Sequence, residues 1–238
     1  DLSPLGGHPA AQVTGTVVQH VNQGGTALFQ WSAFDHFAIT DLDSASRVGP
    51  VVNWTHGNAL AFDADGRLLV SFRSLNEITK IDPVTGAVRW RLGGLANEFV
   101  IAGAPTPFAG QHGLRIRVPG EIEFLDNRGL PGDSRAVRYA LDEGTHAAQQ
   151  VAAFHGAPPV TALLGGSTQP LNGGRTLVAY GNGNRVQEYD AAGAVVWEIH
   201  GNPGYIFRAQ RIASLYRPRV EVAATRTTSI RSTNGAGP

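Results

Sequence analysis

Histidine and arginine side chains at or near the starts of strand-like segments carry the chemistry in this sequence. His56 opens the segment HGNALAF, and His112 opens HGLRIRV. An imidazole can donate a hydrogen bond to an anion, act as an acid or base, or be a nucleophile. Arginine binds phosphate or sulfate through two parallel hydrogen bonds. Since no carboxylate-rich cluster accompanies them, these residues predict a site for an anionic ligand.

The candidates for this site fall into two groups. The expected catalytic residues are His56, His112 and Arg128, and those expected to bind substrate are Asn58, Asn127, Arg135, His36, His155 and Arg208. Asn58 follows His56 by two positions and therefore lies on the same side of a strand. A structural role is the alternative for each, for example a turn contact at Arg128 or a salt bridge at Arg135. No HxH or HExxH spacing is present, so we expect no bound metal.

The composition fits one domain or one repeat array and excludes several classes of protein. The 238 residues are 42% hydrophobic and 16% charged, and the formal net charge is zero. This balance argues against a nucleic-acid groove or a basic membrane surface. No run of about eighteen apolar residues is present, so we expect no membrane span. Because the chain has no cysteine, disulfides and thiolate metal sites are excluded.

Similar units of four short strands follow one another along the chain. The predicted strands are 56–62, 67–73, 77–81 and 88–92 in the first unit, 112–118, 121–125, 135–141 and 149–154 in the second, and 167–171, 175–180, 185–189 and 195–199 in the third. Turns that begin with Asp and end with Gly, at 82–86 and 190–193, precede the last strand of two units. Trp31, Trp90 and Trp197 occupy matching outer strands, where we expect them to pack in the core.

Radial repetition of this kind predicts an all-β protein, a β-propeller of four-stranded antiparallel blades. A β-sandwich is the alternative, but its crossings would not repeat one turn motif in register. Two strands at about 16–21 and 27–32 precede the three units, and one at about 206–212 follows them. We therefore expect three whole blades plus partial ones in residues 1–218, six blades in the full assembly, and a disordered tail or extended arm over 219–238. Unpaired edges invite pairing, so missing N-terminal blades, a second chain or a homo-oligomer would close the propeller.

We expect the polar candidate residues to lie together at one end of the blades. An inner strand runs away from this end and the outer strand returns to it, so inner-strand starts and outer-to-inner connections share one face. His56 and His112 start inner strands, whereas His36 and His155 lie in connections. The loop predicted over 126–134, between the second and third strands of its unit, belongs to the same face.

Several motifs together resemble the arylsulfotransferases, propeller enzymes that use aryl sulfates rather than a nucleotide as donor. The stretches that carry the resemblance are NWTHGN at 53–58, ITKIDPVTGAVRWRLGG at 78–94, QH at 111–112, LDNR at 125–128, SR at 134–135, LDE at 141–143 and GSTQPLNGG at 166–174. The first resembles the family's DW-x-H-x-N-S stretch, the second its YKID-x-x-TG-x-x-x-WRLGG run, and the third its QHD motif. The match covers about residues 1–216.

The resemblance implies transfer of a sulfuryl group from an aryl sulfate to a phenol, in a ping-pong cycle through a sulfated histidine and without a cofactor. By motif match, the functional positions fall on His56, Asn58, His112 and Arg128. In well-characterised bacterial members the nucleophile is a further histidine in a later blade. For that role His155 and His200 are the candidates in this sequence.

The sequence also departs from the family's pattern. The QHD motif reads Gln111-His112-Gly113, and the closing YRAYR reads FRAQR at 207–211. A non-catalytic propeller that binds an anionic or aromatic ligand or a protein is therefore an alternative, as is a structural assembly subunit. We expect an extracytoplasmic bacterial protein, whether secreted, periplasmic or at the cell surface, whose partners are a small aryl sulfate and a phenol.

Overall fold

A computed structural model describes residues 1–201 and 204–214, and it is built almost entirely of β-strands. The first four strands are β1 (Gln12–Thr14), β2 (Val17–Val21), β3 (Ala27–Ser32) and β4 (Val51–Asn53). β2 and β3 form an antiparallel pair, as predicted, whereas β1 and β4 form a parallel pair that the sequence pattern did not indicate. The predicted tail at 219–238 lies outside the described residues. Short 3₁₀ helices occupy Ser3–Leu5, Ala33–Asp35, Ile39–Asp41, Ser44–Arg47 and Asn172–Gly174.

The three predicted units are three antiparallel sheets. The first consists of β5 (Gly57–Phe62), β6 (Leu68–Phe72), β7 (Glu77–Ile81) and β8 (Val88–Gly93). The second is formed by β10 (His112–Val118), β11 (Glu121–Leu130), β12 (Asp133–Asp142) and β13 (Ala147–His155), with the short parallel strand β9 (Val100–Ala102) on its edge. The third contains β14 (Ser167–Pro170), β15 (Thr176–Ala179), β16 (Arg185–Tyr189) and β17 (Val195–His200).

The sheets are arranged as propeller blades, with their first strands innermost. β10 contacts both β5 and β14, so the three inner strands stand side by side. β6 and β7 are buried at every position because neighbouring sheets cover both of their faces. One apolar cluster joins Trp90 and Leu92 of the first blade to Phe124 and Tyr139 of the second. The all-β propeller expectation is confirmed.

Two predicted segments differ from the structure. The predicted loop at 126–134 is wrong, because the β11–β12 ladder continues past Asp126, with a register shift before the last pair, Leu130 and Asp133. The predicted closing strand at 206–212 is wrong as well, because in the described part of this segment the backbone forms a single bridge, between Ile206 and Gly181. Two of its other N–H groups donate to side chains of β14 instead of to a sheet ladder.

The three tryptophans predicted to occupy matching outer strands are not equivalent. Trp31 and Trp90 are 1% and 3% exposed, as expected for core residues between blades. The expectation is wrong for Trp197, which is 43% exposed. It lies in β17, the last strand of the sheets described, where only the guanidinium of Arg211 lies over its ring, 5.9 Å from the centroid.

Buried charges inside the blades are paired. Glu123 is fully buried and its Oε2 lies 2.8 Å from Arg138 Nη2, while Thr176 donates to the same oxygen. Lys80, the single lysine of the chain, is 2% exposed and contacts three carboxylates, those of Asp63, Asp65 and Glu143, at 2.7 to 2.9 Å. Since Glu143 belongs to the second blade, this cluster joins two blades. Burial alone would lower the pKa of Lys80, but the three hydrogen-bonded carboxylates raise it.

Candidate functional site

A cavity of about 450 Å³ opens at the end of the blades where the inner strands start. Its polar side chains are His56, Asn58, Arg73 and His112, and its aromatic wall is Tyr205 and Phe207. The backbone of Gly57, Leu164 and Gly165 completes the lining. His56 and His112 are brought together because β5 and β10 are adjacent inner strands that begin at the same end.

His56 immediately precedes β5 and adopts a left-handed backbone conformation with φ of 49°. This conformation costs a non-glycine residue about 1–2 kcal/mol, so it is maintained by the surrounding structure. The Nδ2 atom of Asn53 lies 2.6 Å from His56 Nδ1. With the amide in this orientation Asn53 donates, and the ring proton of neutral His56 sits on Nε2. Burial, assisted by the positive charge of Arg73, lowers the pKa of His56, which favours the neutral ring.

His112 starts β10 and is only 5% exposed. Its Nδ1 lies 2.9 Å from the carbonyl oxygen of Gly110 and 2.9 Å from Asn127 Oδ1. Both partners are acceptors, so Nδ1 carries the proton. Nε2 then accepts from the Gly165 N–H, through a long contact of 3.3 Å. Burial lowers the pKa of His112 although its Nδ1 hydrogen bonds partly oppose the shift, and the lower pKa favours the neutral ring.

Asn127 is buried behind His112 and does not line the cavity. Its Nδ2 donates to the carbonyl oxygens of Ala162 and Gly165, at 2.5 and 2.9 Å. These two acceptors set the orientation of the amide, because the reversed orientation would place Oδ1 against two carbonyl oxygens. Asn127 is therefore not placed to bind substrate directly, as the sequence had suggested, and instead contacts His112, which lines the cavity.

Asn58 lines the cavity next to His56. Its Nδ2 donates to the carbonyl oxygen of Gln111 at 2.6 Å, which ties β5 to the start of β10. Its Oδ1 is buried and has no hydrogen-bond partner among the described residues. A buried amide oxygen of this kind can accept from a ligand hydroxyl or a neutral imidazole N–H.

Arg73 is the cavity residue that the sequence reasoning missed. It follows β6, whose end pairs with the start of β5, and its N–H donates to the His56 carbonyl oxygen at 3.0 Å. Antiparallel pairing of RLLVSFR with HGNALAF was predicted, so the position of Arg73 beside His56 could have been found from the hairpin register. Among residues 1–201 and 204–214 no carboxylate pairs with its guanidinium, and its Nε is buried without a partner. Burial and the charge of Arg128 lower the pKa of Arg73.

The aromatic wall was also missed. Tyr205 and Phe207 follow the third blade and are roughly half exposed, with ring centroids 6.2 Å apart. The hydroxyl of Tyr205 occupies the space beside Gly165, where a Cβ on residue 165 would lie only 1.9 Å from it. The sequence signal was weak, because the segment forms no regular strand and the family's tyrosine motif is altered.

Two predicted arginines have different surroundings. Arg128 is exposed at the margin of the site, where its Nε packs against Gly110, and its charge acts on Arg73. Arg135 is 1% exposed and does not line the cavity. Its Nη2 lies 3.2 Å from Oδ2 of the fully buried Asp126, so its role is to pair with that carboxylate inside the second blade.

The remaining candidates lie outside the cavity. His36 stacks on the Trp31 ring, with centroids 4.9 Å apart. His155 lies on a register row next to that of His112 but at the outer strand, about 14 Å away by strand spacing, and its Nδ1 is 2.6 Å from Asp133. Arg208 is exposed, with its guanidinium 5.9 Å from the Phe207 centroid. His200, the other nucleophile candidate, is exposed and contacts Glu198.

In the described part of the chain no group of three or more His, Asp or Glu side chains is arranged to hold a metal ion. Residues 1–201 and 204–214 also contain no helix long and apolar enough to cross a membrane. The functional groups of the cavity are thus imidazole, guanidinium, amide and phenol. Together they can bind an oxyanion and present an unprotonated nitrogen to it.

The structure is a propeller whose inner-strand starts surround a cavity lined by imidazole, guanidinium and aromatic side chains. The sequence matches the arylsulfotransferase (ASST) family over residues 1–202. The chain therefore belongs to the arylsulfotransferase family. No protein of curated function matches it.

Several solved structures are similar to this chain at low sequence identity. Virginiamycin B lyase from Staphylococcus aureus is 12% identical with a TM-score of 0.46, over 77% of this chain and 48% of the lyase. A periplasmic gluconolactonase from Pseudomonas aeruginosa is 16% identical with a TM-score of 0.46, over 85% and 61% of the two chains. A protein of unknown function from Bacteroides caccae is 13% identical with a TM-score of 0.47, over 78% and 60%. The chain thus spans about half to three fifths of these structures.

Proposed function

We propose that this chain transfers a sulfuryl group from an aryl sulfate to a phenolic acceptor at the cavity of His56, Arg73 and His112. The observation that carries the proposal is the uncompensated guanidinium of Arg73 beside two neutral imidazoles, both within motifs of the family. An arginine without a carboxylate partner in a partly desolvated cavity attracts an oxyanion such as a sulfate ester.

The other walls of the cavity support an aromatic sulfate. Tyr205 and Phe207 offer ring surfaces at the cavity mouth, against which an aryl group can pack. Asn58 Oδ1 and the His56 N–H add an acceptor and a donor beside the guanidinium. The Arg73 guanidinium and the His56 N–H are donors that can stabilise charge developing on the sulfuryl and leaving-group oxygens during transfer.

A chromogenic assay tests this function. The chain is incubated with 4-nitrophenyl sulfate and phenol, and we expect release of 4-nitrophenolate that depends on His56. The variant His56→Ala should lose the release, whereas His20→Ala, which removes an exposed imidazole in β2, should retain it. Absence of release by the folded chain would contradict sulfuryl transfer.

A second function is favoured by one feature of the site. The family's QHD motif has an acidic residue where this chain has Gly113, and a Cβ at this position would lie 2.5 Å from Ser167 Cα. The local backbone therefore leaves no room for the acidic side chain. A propeller that binds an aryl sulfate without turnover is the alternative, and calorimetric binding of 4-nitrophenyl sulfate without release of product would support it.

A further inference from the structure

The segment 204–212, which we call the strap, lies along the third blade and is bonded to it through side chains instead of a sheet ladder. Gln169 of β14 bonds the Arg211 backbone twice: its Oε1 accepts from the N–H at 2.7 Å, and its Nε2 donates to the carbonyl oxygen at 3.1 Å. Ser167, two residues earlier on the same face of β14, accepts from the Ala209 N–H at 3.4 Å. The strap therefore runs alongside β14 and in the same direction.

A buried carboxylate fixes one end of the strap. Glu188 in β16 is fully buried, and it forms ion pairs with Arg175 Nη2 at 2.6 Å through Oε1 and with Arg211 Nη1 at 2.7 Å through Oε2. Among the described residues neither oxygen has a partner in hydrogen-bond geometry, so attraction between opposite charges holds these groups together. Trp197 of β17 is the register partner of Glu188, and the Arg211 guanidinium lies 5.9 Å from its ring centroid. Arg211 thus contacts two strands of the blade.

The other end of the strap forms the aromatic wall of the cavity, because Tyr205 and Phe207 belong to it. Between them, the Ile206 N–H donates to the Gly181 carbonyl oxygen at 3.1 Å, and the Ile206 side chain packs on a small apolar cluster of the third blade. Arg211 follows Phe207 by four residues, so at most about 14 Å of chain separates the ion pair from the wall. The placement of both rings therefore depends on how the strap is attached to the blade.

We infer that Glu188 and Gln169 are positioning residues that hold the aromatic wall through the strap and thereby set the affinity of the cavity for an aryl group. The inference rests on the proposed function. A buried carboxylate is strongly unfavourable without cations, so Glu188 draws Arg211 and the strap onto the blade. A ring surface that is already held in place binds a ligand better, because no ordering of the side chain has to accompany binding.

The strap should affect the aryl group of a ligand more than its sulfate group. The side chains proposed to bind the oxyanion, those of His56, Arg73 and His112, belong to the first and second blades. Glu188 and Gln169 belong to the third blade. Loss of the strap contacts is thus expected to weaken binding of an aryl sulfate while binding of inorganic sulfate is retained.

Two substitutions around Glu188 form a matched comparison. Arg211→Ala and Arg175→Ala each remove one cation from the same carboxylate, and the two side chains are 47% and 42% exposed. In each variant the remaining arginine still compensates Glu188, so both chains should fold. Because only Arg211 belongs to the strap, only its removal should change the aromatic wall.

Amide hydrogen exchange measures the attachment of the strap without any substrate. In Arg211→Ala we expect exchange over residues 205–210 to be faster on the order of tenfold, the effect of one lost contact to a charged group. Gln169→Ala, which removes both bonds to the Arg211 backbone, should also speed exchange, whereas Arg175→Ala should keep the parent rate. Unchanged exchange in Arg211→Ala and Gln169→Ala, or an equal change in Arg175→Ala, would overturn the inference.

Calorimetric titration with 4-nitrophenyl sulfate and with inorganic sulfate separates the aryl contribution to binding. We expect Arg211→Ala and Gln169→Ala to bind 4-nitrophenyl sulfate more weakly, on the order of tenfold, and inorganic sulfate with the parent affinity. Arg175→Ala should match the parent chain for both ligands. Equal weakening of both ligands would mean a general distortion of the cavity and would overturn the inference. A parent chain that binds 4-nitrophenyl sulfate no more tightly than inorganic sulfate would overturn it as well.

The same variants separate this inference from the proposed function. If exchange and aryl affinity change as expected but no variant and no parent chain releases 4-nitrophenolate, sulfuryl transfer is refuted and the role of the strap stands. If the parent chain releases 4-nitrophenolate and Arg211→Ala does so with an unchanged KM, the role of the strap is refuted and sulfuryl transfer stands.

Discussion

Charged side chains inside the blades are paired with side chains of opposite charge, whereas in the described part of the chain the guanidinium of Arg73 in the cavity has no carboxylate partner. Glu123 and Arg138 are both buried and bonded to each other, with Thr176 adding a third bond. Arg73, half-buried at the inner-strand end, has no such carboxylate among the residues described. Burial raises the pKa of Glu123, and the hydrogen bonds from Thr176 and Arg138 oppose this shift. Burial lowers the pKa of Arg73, and no carboxylate of the described residues opposes that shift.

The difference separates residues that maintain the fold from residues available to a ligand. A buried charge that keeps its partner costs little, but removal of the partner leaves a strongly unfavourable ion. Within residues 1–201 and 204–214 the Arg73 guanidinium has no carboxylate partner and donates only a long 3.3 Å hydrogen bond to the Leu163 carbonyl oxygen, so an incoming oxyanion would supply the missing negative charge. Substitution should therefore affect stability in the first case and activity in the second.

The largest effect is expected inside the second blade. Arg138→Ala would leave the carboxylate of Glu123 buried and unpaired, and should lower the free energy of unfolding by about 3–5 kcal/mol. Urea denaturation followed by tryptophan fluorescence measures this loss. The double variant Glu123→Leu/Arg138→Met should recover most of it, because it removes both charges. A loss below about 1 kcal/mol for Arg138→Ala would mean that water reaches the pair.

Arg73→Ala should lower activity strongly while it changes the free energy of unfolding little. We expect its free energy of unfolding to stay within about 1 kcal/mol of the parent value, since no ion pair among the described residues is broken and the side-chain hydrogen bond lost, to the Leu163 carbonyl oxygen, is long at 3.3 Å. Release of 4-nitrophenolate should fall on the order of 10²–10³-fold, the usual effect of removing one donor to developing charge. Arg89→Ala, at an exposed position in β8, is the matched control and should keep full activity. Destabilisation of Arg73→Ala comparable to that of Arg138→Ala would remove the distinction between the two regions.

The smallest effect is a pH dependence of stability that comes from the cavity. The native pKa of His112 is lowered from its ordinary value of 6.5, chiefly by burial, with the nearby charges of Arg73 and His56 acting in the same direction. Below about pH 6.5 the unfolded chain takes up a proton that the native chain does not, so the free energy of unfolding falls as the pH falls towards the native pKa. Above pH 6.5 the full contribution is present.

Urea unfolding measured from pH 5 to 8 checks this dependence. We expect His112→Gln to have a shallower loss of stability towards acid than the parent chain, and His20→Gln to keep the parent profile. Stability that rises on acidification through pH 6.5 would contradict a neutral buried His112.

Much of the fold follows from local patterns, whereas the partners of individual charges do not. Turn residues and alternation located the twelve strands of the three blades, because these signals are local along the chain. They did not indicate the parallel pairs β1–β4 and β9–β13, which join segments far apart in sequence. The glycine- and proline-containing segment after Asp126 suggested a loop, but only Pro131 and Gly132 separate the two strands.

The sequence predicted the part of the candidate site that is formed by residues at the starts of the inner strands. His56, Asn58 and His112 reach one cavity because β5 and β10 begin side by side. Arg135 was misjudged because residue type cannot tell a cavity arginine from one bound to a buried Asp126. Tyr205 comes from an irregular segment beyond the third blade, whose position depends on side-chain contacts with β14 rather than on any periodic pattern.

Because Lys80 and its three carboxylate partners join two blades, chemical labelling of Lys80 can measure the opening of this contact. Lys80 is the single lysine of the chain, so its Nζ is the one side-chain amine that a labelling reagent can modify. Its Nζ is enclosed and held protonated between two blades, and a protonated amine does not acylate. Acylation at Lys80 therefore requires the two blades to separate locally, and its rate reports how often they do.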